Sequence, residues 1–142
     1  MATPAGGFEL LEHTADVGVR ATGPSVRAVF EQATLGLAEV LGVWRPGRPG
    51  AATPVGVEAG DLGGLLVDWL NEVLWLHEVH GGAAIGDVRV ERVTGDRASG
   101  WVTLVPAGGQ PADGTPVKAV TYHRLRVEQE PHGWVAEVYF DV

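Results

Sequence analysis

Two aspartates stand near opposite ends of this sequence: Asp16 closes the run HTAD (13–16), and Asp141 is followed only by Val142. Carboxylate oxygens are the donors that hard divalent cations such as Ca²⁺, Mg²⁺ and Mn²⁺ take. Asp141 and the α-carboxylate of Val142 are neighbours along the chain. Asp16 is the best third donor if the fold brings the two ends together. His13 is either a further ligand or a residue that orients Asp16, and a hydrogen-bonded structural histidine is the plainer reading. Lys118 is the chain's only lysine and lies in VKAVTYH (117–123). Its ammonium is a compact point charge that suits a carboxylate or a phosphate. His77, Glu78 and His80 imitate a metal cluster, but histidine near a helix C-terminus is commonly a favourable partner of the helix dipole.

Composition limits what these residues can serve. The chain has 142 residues, Lys+Arg 10 against Asp+Glu 18, a formal charge of -8 and no cysteine. The length predicts a single domain over 1–142, with 1–7 flexible. Lack of cysteine excludes disulfides, cysteine-based zinc sites and thiol catalysis. The acidic balance works against broad binding to a phosphate backbone, which needs clustered cations. No apolar run reaches the roughly 18–20 residues of a membrane span, so no membrane partner is expected. The first residues lack the basic start and apolar core of a secretory signal, which leaves a cytoplasmic location as the expectation.

The elements that must position these groups are legible from periodicity. Alternation predicts strands over 8–13 and 17–22, so HTAD sits at a strand end. Ser25 is an N-cap candidate for a helix over 26–42, with Gly42 or Gly36 ending or weakening it. A strand over 53–59 follows. Asp61 is the N-cap candidate of a second helix whose stripe (Leu62, Leu65, Leu66, Trp69, Leu70, Val73, Leu74) runs to Gly81-Gly82. Strands follow over 85–93, 100–105, 117–128 and 134–142, with a Gly/Pro loop over 106–116. The expected fold class is α+β: a two-layer, mostly antiparallel β-sheet of six to seven strands with two helices on one face.

The last two strands read as a hairpin. Trp134, Ala136, Val138 and Phe140 form its buried face, and His123 shares a face with Leu125 and Val127. The pairing that follows puts Arg124 opposite Glu137 and Val120 opposite Asp141, with Lys118 one diagonal step from Asp141.

Taken together, LLEHTADVGVRATG (10–23), AVFEQATLGLAEVL (28–41), LLVDWLNEVLWL (65–76), VKAVTYHRLRV (117–127) and WVAEVYFDV (134–142) resemble the archease family. The resemblance implies an α+β fold of a β-sheet with two helices. It also implies a non-enzymatic role as protein cofactor of the RNA-splicing ligase. That ligase joins 2′,3′-cyclic-phosphate or 3′-phosphate ends to 5′-hydroxyl ends in tRNA splicing and RNA repair. The family member promotes guanylylation of a ligase histidine and restores turnover. GTP is then met only through the ligase, and RNA only indirectly. The resemblance matches Asp16, Asp141 and the carboxylate of Val142 to a divalent-metal site, and Lys118 to a functional lysine. Two other classes stay open: a chaperone or binding module for another RNA-modifying enzyme, and a metal-dependent hydrolase using Asp16 and Asp141 to activate water.

Overall fold

The computed structural model describes residues 5–13 and 16–142, with His13 described by its backbone alone. Strands β1 (Gly7–His13) and β2 (Asp16–Gly23) are followed by helix α1 (Val26–Leu41), strand β3 (Ala51–Glu58) and helix α2 (Leu62–Val79). Strands β4 (Ala84–Val93), β5 (Arg97–Val105), β6 (Ala119–Glu130) and β7 (Gly133–Asp141) complete the chain.

Both helices start where the sequence predicts. The Ser25 hydroxyl accepts from the Ala28 N–H at 3.1 Å, and the Asp61 carboxylate accepts from the Gly64 N–H at 2.7 Å. Each bond satisfies a donor that the first turn leaves without a partner. Gly42 ends α1 in the left-handed region at φ 73°. None of the described helices is long and apolar enough to cross a membrane.

The α+β class, the seven antiparallel strands and the two helices are as the sequence predicts. The strands, however, are divided between two sheets rather than forming one. The first has the order β1-β2-β7-β6 and the second β3-β5-β4. Each helix packs on both: α1 touches β1, β2 and β7 of the first and β4 of the second, and α2 touches β6 of the first and β3 and β5 of the second. Helix α1 shows why one sheet is not enough. Ala28, Val29, Phe30, Ala33, Thr34, Leu37, Val40 and Leu41 are all buried, so the helix is apolar around most of its circumference and needs cover on more than one side. The core joins Val29, Phe30, Ala33, Leu37, Val40 and Leu41 to Leu65, Trp69 and Leu70 of α2 and to Val19, Val102 and Val138 of the sheets. Trp69 is fully buried, and its indole N–H donates to Thr34 Oγ1 at 3.0 Å. The Thr34 hydroxyl in turn donates to the Phe30 carbonyl at 2.7 Å, so the polar edge of the indole is satisfied inside the core.

The β6–β7 hairpin departs from the predicted register. Ala119 pairs with Asp141, Val120 with Phe140 and Thr121 with Tyr139, but beyond an irregularity Arg126 pairs with Glu137 and Val127 with Ala136. Arg124 lies in that irregularity with φ 53°, the left-handed conformation that lets one strand carry extra residues. The bulge inverts the alternation of β6. Val127 pairs across the core face after it, yet Val120 is the buried residue before it, and His123 lies on the outer face. Extrapolating alternation through the bulge therefore places Val120, Arg124 and His123 wrongly. The outer face of β7 is also less open than expected, since Val135 and Tyr139 are buried along with Ala136, Val138 and Phe140.

Candidate functional site at the strand ends

The four-stranded sheet brings the start of β2 beside the end of β7. His13 pairs with Asp16 in the β1–β2 ladder, and Ala119 pairs with Asp141 in the β6–β7 ladder. Between them, the β2–β7 ladder reaches Val17–Phe140. One further step along both strands sets Asp16 opposite Asp141. A single row across the sheet thus reads His13, Asp16, Asp141, Ala119, with Val142 next in the chain. Of the residues singled out in sequence, the fold brings Asp16, Asp141, Val142 and Lys118 to this end. The His13 backbone joins the row, and its side chain lies outside the described residues.

Lys118 comes to the row through its backbone. Its N–H donates to the Asp141 carbonyl at 2.7 Å, while buried Val117 and Val120 fix the chain on either side. The Lys118 side chain is exposed, and no ion pair among the described residues engages its ammonium. Of the two partners a lysine could serve here, the Asp141 carboxylate is therefore not the one it holds. The loop over 106–116 that leads to this segment has a structural task. The Thr115 N–H donates to the Val40 carbonyl at 2.7 Å, supplying a partner to the C-terminal turn of α1 just before Val117 enters the core.

Two residues that sequence reasoning missed complete the geometry. Asn71 of α2 makes two hydrogen bonds to the edge strand β6: its amide N–H donates to the Val120 carbonyl at 3.0 Å, and its carbonyl accepts from the Val120 N–H at 2.9 Å. An edge strand otherwise presents such groups unpaired. Asn71 closes two of them, both on Val120, and holds the Lys118 segment against the helix. The second residue is His123, expected toward the core. It lies on the outer face, its Nε2 3.9 Å from Asp16 Oδ2, with side-chain exposures of 56% and 34%. Its ring meets Tyr139 edge-on at a centroid distance of 6.1 Å.

Among the described residues no group of three or more His, Cys, Asp or Glu side chains is arranged to hold a metal ion. The expected site does not need one, because it combines only two aspartates with a backbone carboxylate. The His77–His80 pair is engaged elsewhere: His77 Nδ1 lies 2.7 Å from the Ala83 carbonyl and His80 Nδ1 2.9 Å from the Leu76 carbonyl. A cavity of about 790 Å³ lies beyond the other end of β2, lined in part by Arg27, Glu31, Arg89 and Trp101. It shares no residue with the row of carboxylates.

The chain is similar over most of its length to proteins of one family. The model of the archease protein family (MTH1598/TM1083) matches residues 8–142. Protein archease of Thermococcus gammatolerans is 37% identical over 142 residues, covering 95% of this chain and 98% of the relative. Protein archease of Methanosarcina acetivorans is 36% identical over 141 residues, covering 95% of each. Among solved structures, the solution structure of Methanobacterium thermoautotrophicum protein 1598 superposes with a TM-score of 0.76 at 29% identity, covering 96% of this chain and 99% of that one. The crystal structure of an archease from Thermotoga maritima shares the fold at a TM-score of 0.62 and 24% identity, covering 100% and 98%.

Proposed function

The chain belongs to the archease family, and from that premise we propose that it is a non-catalytic activator of an RNA-splicing ligase. In this reading it promotes GTP-dependent guanylylation of the ligase histidine and sustains multiple turnover in tRNA splicing and RNA repair. The observation that carries the reading is the row of carboxylates at one end of the sheet, with Lys118 tied to Asp141 through its N–H at 2.7 Å. Asp16, Asp141 and the carboxylate of Val142 would hold a divalent cation, and an all-oxygen donor set fits Ca²⁺, Mg²⁺ or Mn²⁺. When bound, such a cation supplies positive charge against a phosphate.

The protein's own residues do the rest. Asp16 and Asp141 project from strand ends whose register is fixed by ladders on both sides. The Lys118 ammonium, free of the carboxylates, is a mobile point charge that can reach a phosphate oxygen of the nucleotide in the ligase. Asn71 and buried Val120 keep its backbone in place. The open setting of the row lets the whole end enter a partner's active site. GTP is reached only through the ligase and RNA only indirectly, and the location is that of the ligase, the cytoplasm.

A metal-dependent hydrolase is the second reading, and one observation favours it: His123 beside Asp16 offers a general base. One experiment separates the two. Ligase guanylylation with GTP and Mn²⁺ is measured with wild type, Asp141→Ala and a form extended beyond Val142, and phosphate-ended RNA is assayed with the protein alone. Activation is expected from wild type and from neither variant. Activation by either variant overturns the metal-end account, and hydrolysis without ligase favours the second reading.

A further inference from the structure

The outward face of α2 carries a stripe that neither the core nor the carboxylate row uses. Asp68, Glu72, Trp75 and Val79 follow at i, i+4, i+7 and i+11, the spacing that stacks side chains along one side of a helix. Trp75 is 54% exposed and Val79 51% exposed, uncommon for an indole and a valine that could have turned inward. Beside them, an open groove of about 550 Å³ runs between α2 and edge strand β3, lined by Val57, Glu58, Asp68, Asn71, Glu72 and Trp75.

The charge on this groove is uncompensated. Glu58 is paired with Arg97, but no cation among the described residues pairs with Asp68 or Glu72. Like charges four residues apart on a helix weaken it slightly, so local stability does not explain them. Their field repels nucleic acid and also a second copy of this face, in a chain whose net charge is -8. It attracts a basic protein surface. An arginine fits best, because its planar guanidinium can stack on the Trp75 indole while donating to the carboxylates.

We infer that this stripe is the docking surface for a basic, arginine-bearing face of a partner protein. The inference rests on the reading of the protein as a ligase activator, for a geometric reason. Asn71 lines the groove and also bonds Val120, two residues beyond Lys118, so a partner gripping the Lys118 end has the α2 stripe alongside. The stripe supplies affinity and orientation, and the carboxylate row acts on the active site.

The test is titration of the full chain against the RNA-splicing ligase at low and at physiological salt. It compares wild type, Trp75→Ala and the double variant Asp68→Asn/Glu72→Gln. Both variants carry solvent-facing changes, and the circular dichroism melts of all three proteins should coincide. The expected result is about tenfold weaker binding for Trp75→Ala. The double variant should also bind more weakly at low salt and lose most of the salt dependence seen with wild type. If wild type binds and activates the ligase and both variants bind equally well, the docking surface is wrong and the activator reading stands. If wild type does not bind the ligase at all, both fall. If the variants instead abolish a self-association seen by sedimentation and bind ligase normally, the occupant is a second copy and the inference is overturned.

Discussion

His123 Nε2 stands 3.9 Å from Asp16 Oδ2, although β7 separates the strands that carry them. Tyr139 of β7 lies between, and it has room because its partner across the ladder is Gly18. A Cβ at Gly18 would fall 2.7 Å from Tyr139 Cδ1 and 2.6 Å from the Val138 carbonyl oxygen. Gly18→Ala should therefore push Tyr139 and its strand β7 away from β2 and cost about 1–3 kcal/mol, as overpacking does. Urea denaturation measures this directly. An unchanged midpoint would mean that the close packing over Gly18 is not needed.

Among the described residues, Asn71 is the only side chain that closes the free edge of β6 next to Lys118. Asn71→Ala leaves the Val120 N–H and carbonyl without these partners, at a cost of roughly 1–3 kcal/mol. Hydrogen exchange should show the loss first at the Val120 amide. Protection there equal to wild type would remove Asn71 from its positioning role.

Lys118→Arg tests geometry apart from charge. The Asp141 tie runs through the backbone N–H and survives the change, so the fold should be unaffected. Ligase activation should fall at least tenfold, because the planar fork of arginine does not reproduce a compact ammonium. Full activation by Lys118→Arg would show that any cation suffices.

Glu31 provides a pH-dependent stability test. Burial raises its carboxyl above the ordinary value of 4.5, although the Val90 N–H donates to it at 3.0 Å. The folded protein then holds this proton more tightly than the unfolded chain. The charged form costs stability above the raised value, and the cost vanishes as pH falls to about 4.5. Glu31→Gln should be more stable than wild type near pH 7, by a margin that narrows on acidification. A margin that widens would contradict the assignment.

Much of this was legible in the sequence, and the failures have physical causes. Ser25 and Asp61 cap helices because a short polar side chain before an apolar stripe has little else to do. HTAD and the terminal Asp141 announce strand ends by interrupting alternation. The Arg124 bulge was hidden because no glycine or asparagine marks residues 122–125, and an arginine adopts the left-handed conformation unannounced. That one residue misplaced His123 and the hairpin register. The division into two sheets depends on long-range pairing that local periodicity does not encode. Asn71 left one faint signal, as the chain's only asparagine in the middle of a helix that disfavours it.

The most direct test of the account is a turnover count. RNA-splicing ligase is mixed with a sub-stoichiometric amount of this protein, GTP, Mn²⁺ and RNA with 3′-phosphate and 5′-hydroxyl ends. The account predicts that each ligase molecule seals many ends with wild type, and that Asp16→Ala and Asp141→Ala each leave it near a single turnover. Equal ligation with and without the protein would contradict it.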